Sequence, residues 1–251
     1  MSGHSKWSSI KHKKGAADAK RGKLFSKLTR AIIVAAKEGG PDPAGNLALQ
    51  NAVEKAKAAS MPKDNIDRAI AKGSGADADA DAFETIVYEG YGPEGVAVIV
   101  EALTDNRNRT AADVRHMFSK HGGNLGATGA VAWQFDRRGV VVVPAEGVDE
   151  EELLLVAADG GADDIEADGD VIQVTSAPEN LQAVRGAIES AGFPIESAEL
   201  SMLPKNTVAV DDESKARQLM RLIDALEDDD DVQEVYANFD IPEQVLEAVA
   251  S

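Results

Sequence analysis

The sequence contains no cysteine, few aromatic residues and no long apolar run. The absence of cysteine excludes disulfide bonds, thiolate metal sites and cysteine nucleophiles, and it is typical of a reducing cytoplasm. Only 4% of the residues are aromatic, so the cores must be built from alanine, valine, leucine and isoleucine. No apolar stretch approaches the roughly 20 residues that a membrane-spanning helix needs. We therefore expect a cytoplasmic protein with no membrane partner.

The whole chain has a formal net charge of −18. Positive charge is scarce except near its start. Through Gly73 there are 15 basic and 6 acidic residues, whereas the remainder contains 11 basic and 38 acidic residues. The first thirty residues include nine cations: Lys6, Lys11, Lys13, Lys14, Lys20, Arg21, Lys23, Lys27 and Arg30. An acidic chain that gathers its cations at one end predicts a polyanionic partner, because neutralised phosphates release condensed counterions.

The residue patterns divide the chain into an arm, a helical domain and two mixed domains. We predict a basic arm at 1–22, a helical domain at 23–75, a discontinuous middle α/β domain at 76–133 and 205–251, and an inserted α/β domain at 134–204. The low-complexity stretch 74–82 is typical of a linker. Gly73 is interpreted as the terminator of the last helix of the helical domain, and Ala127–Phe135 as a strand of the middle domain.

The predicted fold class is α+β, with antiparallel sheets covered by helices on one face. Residues 134–204 follow the order β-α-β-β-α-β, which is typical of a ferredoxin-like sandwich. The strands and helix after 204 cannot form a sheet domain alone. They complete a second α/β domain when joined to the strands and helix of 83–132, which is why we expect one domain to be inserted into the other.

The N-terminal cations form the first candidate nucleic-acid site. Lys11, Lys13 and Lys14 are too close together for one helix face, but they suit an arm that follows a phosphate backbone. Trp7 and His12 lie among them, and a tryptophan ring there could stack on an unpaired base. Two alternatives stay open: the arm folds back on the acidic surface of the protein itself, or Trp7 packs against a neighbouring domain.

A second candidate site is the segment Thr104–Thr110, which lies between a strand and the start of a helix. Asn108 or Thr110 can cap this helix, and its exposed N–H groups favour an anion. Arg107 and Arg109 would then clamp a phosphate. The alternative is a capped loop in which Asp105 pairs with one of the arginines.

The sequence supplies no catalytic set, no metal site and no cofactor motif. His116 and His121 are five residues apart and do not share a helix face cleanly, and no carboxylate–histidine spacing resembles a zinc site. The glycine-rich turns lack the lysine of a phosphate-binding P-loop. The acidic run Asp228–Asp231 lacks the spacing of a calcium-binding loop and is interpreted as a solvated turn. We expect a protein that acts by binding, not an enzyme, with no small-molecule substrate.

Several segments resemble the YebC family. These are GHSKW at Gly3–Trp7, the basic run Lys11–Leu28, the segment Asp42–Ile66, YEGYGPEGVA at Tyr88–Ala97, LTDNRNRTAADVR at Leu103–Arg115 and GGNLG at Gly122–Gly126. The resemblance covers essentially the whole chain, and its motifs are specific. It implies a helical N-terminal domain followed by two α/β domains.

The resemblance also implies a nucleic-acid function in gene expression. Bacterial members are described as DNA-binding transcriptional regulators, and the mitochondrial relative is a translational activator of cytochrome c oxidase subunit I. A ribosome-associated role in translating difficult stretches, such as consecutive prolines, is implied as well. We expect ribosomal or transfer RNA as the partner, with duplex DNA as the alternative. A second alternative is a protein-interaction scaffold that uses the acidic surface.

Overall fold

The computed structural model describes residues 18–75 and 83–250. These residues form two compact units. One unit consists of residues 133–207, and the other contains the described residues before 133 together with those from 208 onward.

The N-terminal part is a three-helix domain. Its helices are α1 (Asp18–Gly39), α2 (Leu47–Ala58) and α3 (Lys63–Ser74). Ile32, Leu49 and Ile66 are buried in its core. Asn46 caps α2 by accepting from the backbone N–H of Leu49, as short polar side chains commonly do.

Helix α1 begins at Asp18, inside the stretch that we predicted as an arm through residue 22. The prediction placed the helix start at Lys23 because the apolar periodicity begins there. Alanine, lysine and arginine have high intrinsic helix propensity and extend a helix without an apolar face. The basic segment therefore enters the helix earlier than its hydrophobic pattern indicates.

Gly73 does not terminate α3, which continues to Ser74. Gly73 is buried where α3 crosses α1, and a Cβ atom there would lie 2.2 Å from the Ile33 carbonyl oxygen. Glycine at this position lets the two helix backbones approach closely. Gly73 therefore serves helix packing and does not end the helix.

The middle domain is an antiparallel sheet packed against helices. Its elements are β1 (Glu84–Tyr91), β2 (Ala97–Thr104), α4 (Arg107–Lys120), β3 (Asn124–Leu125), and, after the insertion, β8 (Val208–Ala209), α7 (Glu213–Glu227), β9 (Val232–Ala237), β10 (Phe239–Asp240) and α8 (Glu243–Ala250). The strand order of the antiparallel sheet is β3-β1-β2-β9, while β8 and β10 form a separate two-stranded parallel sheet. Phe118, Leu219 and Phe239 are buried in its core. Strand β9 pairs with β2, so the sheet is completed only after the inserted domain has ended.

The inserted domain has its own sheet and core. Its elements are β4 (Phe135–Pro144), α5 (Glu150–Asp159), β5 (Ala162–Asp168), β6 (Val171–Ser176), α6 (Leu181–Ser190) and β7 (Ser197–Pro204). The strand order is β5-β6-β4-β7, and all neighbouring strands are antiparallel. Asp149 caps α5 by accepting from the N–H groups of Glu151 and Glu152. This is the split βαβ arrangement of a ferredoxin-like sandwich.

The predicted fold class is confirmed: an N-terminal helical domain and two α/β domains, one of them inserted into the other. Among the described helices, none is long and apolar enough to cross a membrane.

The predicted strand Ala127–Phe135 is wrong, because only Phe135 belongs to a strand. The buried carboxylate of Glu89 instead accepts hydrogen bonds from three backbone N–H groups of this segment, those of Gly129 at 2.6 Å and of Val131 and Ala132 at 2.8 Å. Gly129 has a φ of +84°, which a regular strand does not allow. The backbone thus wraps a carboxylate where the sequence predicts a strand.

Replacing Glu89 with glutamine removes the charge and one of the acceptor oxygens. We expect the free energy of unfolding to fall by about 2 kcal/mol, because hydrogen bonds to a buried charged group contribute roughly 1.5–3 kcal/mol each. Urea denaturation of the full chain measures this. The matched control is Glu94→Gln, whose exposed carboxylate lies 3.5 Å from Lys215 and whose loss should cost less than about 1 kcal/mol. Equal effects of the two substitutions would contradict a specific role of Glu89.

Candidate nucleic-acid interface

The cations predicted to bind nucleic acid fall into three groups in the structure. Lys6, Trp7, Lys11, His12, Lys13 and Lys14 lie outside the described residues. Lys20 and Arg21 lie in the first turns of α1, and their side chains are not among those described. Lys23, Lys27 and Arg30 are described, and all three contact the middle domain.

Lys23 and Lys27 bind the C-terminal end of α7. The Lys23 Nζ donates to the Asp228 carbonyl oxygen at 3.1 Å, and the Lys27 Nζ donates to the Glu227 carbonyl oxygen. The last carbonyl groups of a helix have no intrahelical partner and carry partial negative charge, so they favour cations. Burial lowers the pKa of Lys27 despite the neighbouring acidic side chains. These two lysines therefore stabilise a contact between α1 and the turn at the end of α7.

Arg30 continues the same face of α1, three residues after Lys27. Its Nη1 donates to the Asp230 carbonyl oxygen at 2.8 Å and to Asp231 Oδ1 at 3.0 Å. Its guanidinium also lies 5.6 Å from the centre of the Phe83 ring, a distance suited to a cation–π interaction. Arg30 thus binds the middle domain with its charge and its planar face.

Asp231 is the centre of this contact and is 5% exposed. Its Oδ2 accepts from Arg109 at 2.7 Å, from Thr110 at 2.8 Å and from Thr104 at 3.1 Å, while its Oδ1 accepts from Arg30. Burial raises the pKa of Asp231, but the hydrogen bonds from Arg109 and the two threonines lower it more. The carboxylate therefore stays ionised and binds two arginines from two domains.

The interpretation of Asp228–Asp231 as a solvated turn is wrong for its last residue. Asp231 immediately precedes strand β9, and its side chain points into the contact between the domains instead of into water. Burial also raises the pKa of Asp229. Nothing in a run of four aspartates distinguishes the buried member, because its arginine partners lie 122 and 201 residues away.

The segment Thr104–Thr110 gives a mixed result for the predicted phosphate clamp. The helix cap is Asn106, which accepts from the Arg109 N–H, and not Asn108 or Thr110. Arg109 pairs with Asp105 at 2.9 Å, which is the internal pairing that the sequence left open, and it also pairs with Asp231. The Arg107 side chain is 69% exposed and lies 3.9 Å from Glu84. The structure thus gives Arg109 an internal role and leaves Arg107 accessible.

Two family models match the two parts of the chain that form this contact. The model of the TACO1/YebC N-terminal domain matches residues 5–76, and the model of the TACO1/YebC second and third domain matches residues 83–239. The chain belongs to the TACO1/YebC family. Within this family fold, Arg30 comes from the N-terminal domain, while Asp231 comes from the part matched by the second model.

Individual TACO1/YebC relatives match over the full length. A "probable transcriptional regulatory protein" of Rubrobacter xylanophilus is 63% identical over 250 residues, covering 100% of both chains. Another of that description from Desulfotalea psychrophila is 54% identical with the same coverage. The crystal structure of a conserved hypothetical protein from Aquifex aeolicus matches with a TM-score of 0.81 at 52% identity, covering 90% of this chain and 93% of that one.

Replacing Asp231 with asparagine should lower the free energy of unfolding by about 3 kcal/mol, because it leaves buried donors and arginine charges without their carboxylate. Urea denaturation measures the change. Asp228→Asn is the matched control: it lies in the same acidic run with an exposed side chain and should change stability by less than about 0.5 kcal/mol. A loss as small in Asp231→Asn as in the control would contradict the central role of this carboxylate.

The contribution of Asp231 should depend on pH. A carboxylate whose pKa is lowered on folding adds stability above its unfolded pKa and loses that stability as the pH falls through its folded pKa. We expect the stability difference between wild type and Asp231→Asn to be constant near neutral pH and to shrink below about pH 4. Denaturation at a series of acidic pH values measures this. A difference that grows on acidification would contradict the assigned sign.

Proposed function

We propose that this protein is a non-enzymatic, cytoplasmic regulator of gene expression that acts by binding nucleic acid. The observation that carries the proposal is the separation of charge along the chain, with nine Lys or Arg among the first thirty residues of an acidic protein. Such a cluster supplies phosphate contacts, while the acidic remainder disfavours indiscriminate binding to nucleic acid. The names of the full-length relatives support a regulatory role.

The contacts of α1 divide the N-terminal cations into two sets. Lys27 and Arg30 are engaged with the middle domain and are not expected to contact a phosphate backbone. The six cations before Lys23 precede or begin a helix that is held on that domain. We propose that this upstream set, from Lys6 to Arg21, supplies the contacts to nucleic acid. Arg107, which is exposed at the start of α4, is a further candidate.

Our preferred target is structured RNA on the ribosome, where the protein would aid the synthesis of difficult stretches such as consecutive prolines. Trp7 among the lysines suits stacking on an unpaired base, and the acidic body would be repelled by a long duplex. The second candidate function, DNA-binding transcriptional regulation, is favoured by the names of the relatives.

Co-sedimentation with translating ribosomes tests the proposal. We would compare wild type with the triple variant Lys11→Glu, Lys13→Glu, Lys14→Glu. A matched control, Lys57→Glu, Lys63→Glu, Arg137→Glu, changes three exposed cations elsewhere and gives the same net charge. We expect the first variant to lose ribosome association and the control to retain it, because only the former removes phosphate contacts.

Binding to free duplex DNA at several salt concentrations is measured in parallel. Tight, salt-sensitive and sequence-dependent DNA binding without ribosome association would overturn the translational proposal in favour of transcriptional regulation. Equal loss in the two triple variants would contradict a specific role for the N-terminal cations.

A further inference from the structure

A second group of cations lies in the middle domain, far along the sequence from the N-terminal cluster. Lys120, His121, Ser214, Arg217, Gln218 and Arg221 line a cleft of about 360 Å³ between the end of α4 and the face of α7. We call these six residues the basic cleft. The volume falls within the roughly 300–1,000 Å³ of ordinary ligand sites, and the cleft is open to solvent.

The basic cleft concentrates positive charge in an otherwise acidic part of the protein. Only 11 Lys or Arg side chains occur after Gly73, against 38 acidic ones, and three of the 11 line this cleft. Arg217 is partly neutralised by Glu213 at 2.6 Å. Within the described parts of the chain, neither the Lys120 nor the Arg221 side chain has a hydrogen-bond or ion-pair partner. Their charges are therefore available to a ligand.

The spacing of these cations adds to the repulsion between them. Arg217 and Arg221 lie four residues apart on α7, so they share a helix face. Like charges at this spacing destabilise a helix, and a bound anion would relieve the repulsion.

His121 reports the local field in the basic cleft. Its pKa is lowered, first by burial and then by the positive charges of Lys120, Arg221 and His116. All the charges that shift it have the same sign. A phosphate held between α4 and α7 would oppose that field.

Neutral donors complete the lining. Gly122 has a φ of +78°, and a Cβ atom there would lie 2.3 Å from the Gln218 Nε2. Glycine thus allows the Gln218 amide to lie against the turn after α4. The Gln218 amide and the Ser214 hydroxyl can donate hydrogen bonds beside the cations. This combination of donors and cations suits phosphate oxygens.

We infer that the basic cleft binds phosphate groups of a nucleic-acid backbone, as a contact additional to the N-terminal cations. The cations are spread over two helices around an open cleft, which suits a strand passing across the surface better than an enclosed small anion. The identity of the ligand rests on the proposed function, whereas the affinity of the cleft for phosphate does not.

The first test is nucleic-acid binding by the full chain. We would compare wild type with Lys120→Gln/Arg221→Gln, using fluorescence anisotropy of a labelled single-stranded RNA and a labelled duplex DNA. The control Lys57→Gln/Arg137→Gln removes two exposed cations elsewhere. We expect the cleft variant to bind roughly tenfold more weakly and to show a salt slope smaller by about 2, since each lost phosphate contact reduces the slope by about 1. The control should match wild type.

The second test does not require nucleic acid. The pKa of the His121 imidazole is measured by NMR with and without inorganic phosphate at constant ionic strength. We expect phosphate to raise this pKa in wild type and to raise it less in the cleft variant. A His121 that does not respond, or a cleft variant that binds nucleic acid as tightly as the control, overturns the basic cleft as a phosphate site. Wild type that binds neither RNA nor DNA overturns the proposed function and the assigned ligand, whatever His121 does.

Discussion

The contact between the N-terminal helices and the middle domain depends on the hydrogen bonds that the ionised carboxylate of Asp231 accepts. This carboxylate accepts from Arg30 of the first helix, from Arg109 at the start of α4 and from two buried threonines. A buried charge is costly to remove from water, so it persists only where its partners satisfy it fully. Here the partners come from segments distant in sequence, and the carboxylate joins them at one point.

This contact changes how the N-terminal positive charge is understood. A count of lysines and arginines treats the whole basic stretch as one surface for nucleic acid. The structure uses part of it internally, because Lys27 and Arg30 bind the turn at the end of α7. The charge available for a partner lies before Lys23. In the acidic middle domain, the cations of the basic cleft are also available to a partner.

The architecture could be predicted from sequence because periodicity and capping are local. The strand Val232–Ala237 and the cap at Asp149 follow directly from alternation and spacing. The insertion followed from the incompleteness of the flanking elements. Prediction failed where a distant partner decides the outcome: Gly73 lies at a helix crossing, and the backbone of residues 129–132 wraps the Glu89 carboxylate. The role of Asp231 was missed for the same reason. So were the contacts of Lys27 and Arg30 with the turn at the end of α7.

The most direct test of this division of charge is to map where nucleic acid touches the protein. A bound single-stranded RNA would be cross-linked to the full chain by ultraviolet light, and the linked peptides identified by mass spectrometry. We expect cross-links within residues 1–21 and around the basic cleft, and none at Lys27 or Arg30. Cross-links at Lys27 and Arg30, with none in residues 1–21, would contradict the account, because the cations assigned to the contact with the middle domain would then be binding the nucleic acid.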